Sequence, residues 1–200
     1  MADNVAMWEA AQAFLVVAKN TETYIREEGI SDENSQPYKQ GGALTPMRIW
    51  IAMRSVLDFN FHQAYELYIK LVLTLEGTPY KFQHGLGEMF DLMSNESRGE
   101  FQRLHRKNLM GRGKTVEMIA FQMASKRPSL PEPTDPDFNT VRGMLEYFDG
   151  ELELYKRRYG WETMTRGGWL QFIRDIRPWL LFLDDINAYC ASLLDRQKPT

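Results

Sequence analysis

Cysteine is nearly absent from this chain. Cys190 stands alone, which excludes an internal disulfide and a site built from several thiolates. A single thiol suits a reducing compartment, so a cytoplasmic protein is expected. Histidine is scarce too: His62, His84 and His105 lie far apart in sequence, and no His-Glu-x-x-His pair exists. No metal and no other cofactor is therefore expected. Charge of one sign is also missing. Charged residues make up 26% of the chain yet leave a net charge of only -3, so no global field points to nucleic acid or membrane. Apolar runs of membrane-spanning length are wanting, because the segments around 46–75 and 169–194 are broken by charges every few residues. The opening MADNVAMWEAAQAF carries no basic stretch and does not read as a signal peptide. No Gly-x-Ser-x-Gly elbow and no glycine-rich dinucleotide fingerprint appear. Gly113-Lys114-Thr115 is not a P-loop, since Asn108 stands where the first glycine is needed.

What is present is helical spacing. Apolar residues recur at three and four, no stretch alternates convincingly with period two, and Asn-Gly and Asp-Gly hairpin turns are not used, so an all-α protein is expected. A first helix is predicted over about 4–28, with Val5, Trp8, Ala11, Leu15, Ala18 and Ile25 on one face and Gly29 as its stop. Residues 31–45 are polar, hold Pro and two Gly, and read as a loop. Thr45-Pro46 is a helix start: threonine caps free N–H groups and proline at the first position loses no hydrogen bond. That helix runs to Glu76 and stops at Gly77, as one helix or as two that meet near Asp58-Phe-Asn60. A short helix follows over about 84–93, then Ser94 caps another through FQRLHRKNL. Helices are further predicted over 114–125, 138–159 and 168–196, the last kinked at Pro178, with 127–137 a Pro-rich loop. The whole reads as one all-α domain, an antiparallel up-and-down bundle of four to five core helices. Residues 46–160 form its centre, 1–45 add an N-terminal helix and loop, and 161–200 add a C-terminal helix.

Several groups of residues are candidates for chemistry. Arg54, Asp58, His62, Glu66 and Lys70 are spaced by four on the central helix and form a winding polar stripe. The stripe is either an ion-pair face or the lining of a cleft, because the rest of that helix is crowded with apolar residues. Arg103, His105, Arg106, Lys107, Arg112 and Lys114 make RLHRKNLMGRGKT the most basic segment, suited to gripping phosphate or merely to complementing a helix dipole. His84 sits near the start of a helix, where it can cap N–H groups or reach Glu66. Trp161, Trp169 and Trp179 can stack bases but fit a core or dimer face better, given the apolar run from Trp169 to Leu183. Asp135, Asp137, Asp184 and Asp185 read as surface or capping acids.

Taken in order, Glu66-x-x-x-Lys70, Gly77, His84-x-Leu86-x-x-Met89-x-x-Leu92, the Ser-Asn-Glu-Ser-Arg98 turn and the later Arg158-Tyr159 resemble the HEPN family (higher eukaryotes and prokaryotes nucleotide-binding). The resemblance covers roughly residues 46–160. It implies a four- or five-helix up-and-down bundle, commonly dimeric, of a kind found in toxin–antitoxin, phage-defence and RNA-processing systems. Active members are metal-independent RNases that use an Arg, four to six residues, then a His near a dimer cleft. Arg98 and His105, separated by six residues, satisfy that spacing. The histidine would move a proton at the ribose 2′-OH and the arginine would stabilise charge on phosphorus. The expected function is a non-catalytic HEPN-like module that dimerises and binds a protein partner, nucleotide or RNA. The alternatives are an RNase using Arg98 and His105, or an unrelated helical interaction domain.

Overall fold

A computed structural model of the chain describes residues 2–28, 46–80, 85–109, 118–123, 137–156, 168–173 and 175–197. The order of elements is α1 (Ala2–Glu27), α2 (Pro46–Glu76), α3 (Leu86–Leu92), α4 (Asn95–Asn108), β1 (Met118–Met123), α5 (Val141–Lys156), β2 (Gly168–Ile173) and α6 (Arg177–Arg196). The fold is the expected all-α bundle, with one two-stranded ribbon added. α2 is a single helix through Asp58 and Asn60. It ends as glycine allows: Gly77 takes φ +72°, while the Thr78 N–H bonds to the Leu73 carbonyl and the Gly77 N–H to that of Thr74. Ser94 caps α4 by accepting from the Ser97 N–H. Its own N–H and hydroxyl both donate to the Glu76 carboxylate, which ties the start of α4 to the end of α2.

Two expectations are corrected. Residues 118–123 are a strand, not part of a helix over 114–125. Residues 168–173 are its antiparallel partner strand, not the first turns of a helix over 168–196. The register places Ile119 opposite Phe172 and Phe121 opposite Leu170. Short apolar runs do not distinguish strand from helix by spacing alone, and this pairing joins segments far apart in sequence. The last helix accordingly starts only at Arg177. Pro178 lies in its first turn, where the missing N–H costs nothing, so no kink is needed.

One apolar core runs through the helices. Leu57, Phe61, Tyr65, Tyr68 and Val72 of α2 meet Phe148 of α5, Phe101 of α4, and Trp179, Phe182, Leu183 and Ile186 of α6. Aromatic rings link these elements: Phe61–Phe148 at 5.1 Å, Tyr65–Phe182 at 6.0 Å and Phe101–Phe182 at 6.4 Å. Trp179 and its neighbours on α6 are therefore core residues of this chain rather than a stacking platform. α1 lies against α2 and α6, burying Ala11, Leu15 and Ala18. Lys19 pairs with Asp184 of α6 at its flank. Gly143 is required by a close approach, since a Cβ there would collide with the Asp137 carbonyl oxygen. The Asp137 carboxylate in turn accepts from the Asn139 N–H and the Thr140 hydroxyl, and Thr140 accepts from the Gly143 N–H. Close approach and capping together fix how α5 begins.

Candidate functional site: a buried ionic seam and an enclosed histidine

The stripe on α2 lies inside the bundle. Arg54, Asp58, His62 and Glu66 are all buried, and Lys70 is half-buried at the end of the row. Each step of four along a helix returns to nearly the same face, so the side chains meet in sequence. Lys70 donates to Glu66, His62 Nδ1 stands 3.8 Å from Glu66 Oε2, and Arg54 stands 3.7 Å from Asp58. Arg54 also donates through Nη2 to the Ile173 carbonyl at 2.7 Å, which anchors the end of β2 on α2. Charges in so dry a place must be partnered to be tolerable. Asp58 has Arg54 as its ion-pair partner, but neither of its oxygens accepts a hydrogen bond. Burial raises its carboxyl above the ordinary value, and the charge of Arg54 pulls the other way.

Asp149 on α5 joins the seam from across the bundle. Its Oδ1 is 3.5 Å from His62 Nε2, and its two oxygens accept from the Leu86 N–H at 2.8 Å and the Gly87 N–H at 3.1 Å. α3 is thus capped by a carboxylate from another helix, favoured by the positive end of its dipole. Gly85, the residue before α3, supplies no side-chain cap. No local pattern in sequence marks Asp149, because its partners lie more than sixty positions away.

The other candidates part company. His105 is fully enclosed, with its ring 5.7 Å from that of Phe182 and 6.2 Å from that of Trp179. Neither ring nitrogen has a hydrogen-bond partner. Burial lowers its pKa to about 4, although the nearby Phe138 backbone favours the proton slightly without reaching normal bond geometry. At neutral pH this is an uncharged core imidazole. Arg98, on the same helix, is half-buried and directs its guanidinium back to Asn95 Oδ1 at 2.5 Å. The two residues share α4 but not an environment.

The basic end of α4 is largely self-satisfied. Arg103 makes a two-pronged contact with Glu100 at 2.7 and 2.6 Å, and Lys107 donates to both oxygens of Asp185. Asn108 donates to Asp185 as well, at 2.7 Å. Burial alone would raise the Asp185 carboxyl, but these donors outweigh it and hold it below the ordinary value. Arg106 is exposed and forms no ion pair with a described residue. His84, Arg112, Lys114, Arg158 and Tyr159 lie outside the described residues, as do Trp161 and Asp135.

Among the described residues no group of three or more His, Cys, Asp or Glu is placed to hold a metal ion. None of the described helices is long and apolar enough to cross a membrane. No family model matches the chain, and neither a curated protein nor a solved structure matches it.

Proposed function

We propose that this chain is a non-catalytic helical interaction module that acts by self-association and by binding a protein partner. The observation that carries this reading is the setting of His105. A histidine that moves protons for a substrate needs access and a pKa near the working pH. His105 has neither, being shut among aromatic rings and held neutral. The RNase reading would also require Arg98 to leave Asn95 and point toward a ring that solvent does not reach.

A protein partner is favoured over RNA because two of the α4 cations, Arg103 and Lys107, are already matched by acids of the same chain, which leaves Arg106 as the exposed cation without an acid among the described residues. A phosphate would have to displace Glu100 from Arg103 and Asp185 from Lys107. Both pairs are solvent-exposed and individually weak, so their effect is to cancel the positive field rather than to stabilise the fold. Of the residues that carry the HEPN likeness, Glu66 and Lys70 pair with each other, Leu86 and Met89 pack in the core, Gly77 ends α2, and Leu92 is exposed. In that likeness they support a shared scaffold rather than a shared reaction.

The test is to incubate purified protein with a mixed RNA pool in EDTA, with His105→Leu in parallel. Neither protein should cleave, and neither should retain RNA at physiological salt. Metal-independent cleavage by the parent that the variant lacks would overturn the reading. Tight, salt-sensitive RNA retention without cleavage would replace the protein partner with a nucleic acid.

A further inference from the structure

The outward side of α1 stays apolar where the bundle leaves it open. Val16 is 54% exposed, Tyr24 49% and Val17 44%. Together with Val5 they are four of the seven large hydrophobic residues exposed among the described residues. The inward side is already satisfied by Ala11, Leu15 and Ala18, so among the described residues this second face has no partner within the chain. A helix apolar on both sides requires cover on both. Its neighbour α2 adds a shoulder of exposed Ala52, Ser55 and Val56, and beside them the rings of Phe14 and Phe59 meet edge to face at 6.2 Å.

The pattern on this face specifies what covers it. Ala6, Ala10, Ala13, Val17, Asn20 and Tyr24 follow at steps of four, three, four, three and four, which is the spacing of a coiled-coil seam. All are exposed except the half-buried Ala10. The set is symmetric about position 15 when read backwards. Reversal puts Ala6 opposite Tyr24, Ala10 opposite Asn20 and Ala13 opposite Val17, so a small residue faces a larger one at every level. A surface that complements its own reverse is what a two-fold contact between identical chains needs. A parallel pair would set Tyr24 on Tyr24 and Ala6 on Ala6, crowded at one end and hollow at the other.

We infer that two copies of this chain pair antiparallel through the outer faces of α1, crossing between Ala13 and Val17. The inference rests on the interaction-module reading and names one of its partners. Size sets its strength. α1 spans 26 residues. That is about 39 Å of helix, and a strip about 10 Å wide gives roughly 400 Å² per copy. Doubled, this falls short of the 1,200 Å² or so of a standard interface, and the α2 shoulder raises it toward that value. A reversible dimer follows rather than an obligate one. The seam residues carry no charge. The antiparallel arrangement keeps the two Glu27-Glu28 ends apart, and its register sets Asp3 of one copy opposite Glu27 of the other at the exposed ends of the helices.

Sedimentation velocity from micromolar to millimolar protein should show a concentration-dependent dimer. Val17→Glu, at an exposed position, should abolish it with an unchanged helical circular dichroism spectrum. The double variant Ala6→Cys/Tyr24→Cys should form a disulfide dimer on mild oxidation, while either single variant should not; the native Cys190 is buried and does not compete. A monomer at every concentration, a dimer that survives Val17→Glu, or cross-linking by Ala6→Cys alone would each overturn the pairing. A monomer that does not cleave RNA removes the pairing and leaves the non-catalytic reading. A chain that cleaves RNA removes that reading whatever its oligomeric state.

Discussion

Replacing His105 with leucine converts its burial into a measurable pH dependence. In the fold its pKa is lowered from 6.5 to about 4, chiefly by desolvation. The sign follows from which state binds the proton. Below 6.5 the unfolded chain takes up a proton that the folded chain refuses, so stability is lost as pH falls and the loss levels off near 4. At about 1.4 kcal/mol per pH unit the full penalty is roughly 3 kcal/mol, of which about 2 kcal/mol accrues between pH 7 and pH 4.5. Leucine has nearly the same volume and no proton to lose. At pH 7 the variant should lie within about 1.5 kcal/mol of the parent, as volume-conserving core swaps do. Lost ring contacts with Phe182 and Trp179 are then offset by removal of two unpartnered nitrogens. The assay is urea unfolding of both proteins at pH 7 and pH 4.5. Other groups titrate in both proteins, so the quantity to read is the difference between them. That difference should move by about 2 kcal/mol in favour of the variant on acidification. A difference that stays constant with pH would refute the reasoning, because it would place the imidazole in water.

The seam and two glycines give further tests. Asp58 has its carboxyl raised by burial, so its contribution to stability is present below the ordinary carboxylate value and lost as pH rises through the folded one. The advantage of Asp58→Asn over the parent should therefore widen from about pH 4 to about pH 8 in urea unfolding, and a constant or shrinking advantage would count against a buried, unbonded carboxylate. Asp149→Ala removes both acceptors at the start of α3 and should cost about 1–2 kcal/mol, seen as a lowered Tm, with Asp149→Asn losing less. A methyl group at Gly99 would meet open space, so Gly99→Ala should stabilise α4 by about 0.5–1 kcal/mol. Gly143→Ala drives a methyl group into the Asp137 carbonyl and should destabilise by about 1–3 kcal/mol, the opposite sign for the same substitution.

Local signals read well in this chain because their partners are local. Pro46, Gly77 and Ser94 each act within a few residues, and the bounds of α2 and the start of α4 agree with them, while Thr45 lies outside the described residues. The ribbon is not legible in the same way, since Met118–Met123 is too short for its period to outweigh a helical interpretation. Its stability comes from a partner some fifty positions away. Pro178 misleads for a related reason: without the strand, the helix begins too early and the proline falls in its middle. At the seam, spacing by four shows which residues of α2 meet, but not that Asp149 joins them. His105 is the least legible residue. A histidine among arginines and lysines reads as a phosphate-handling group, and only Phe182 and Trp179, brought in from α6, make it a core residue. Those two cover it from more than seventy positions further along the chain.

The central claim, that this chain acts by association and that His105 belongs to its core, is tested most directly by the NMR titration of the histidine rings. Resonances assigned by the His105→Leu variant should stay those of a neutral imidazole down to about pH 5, below the ordinary histidine range. Protonation of His105 with a midpoint near 6.5, accompanied by shifts on adding RNA, would contradict it.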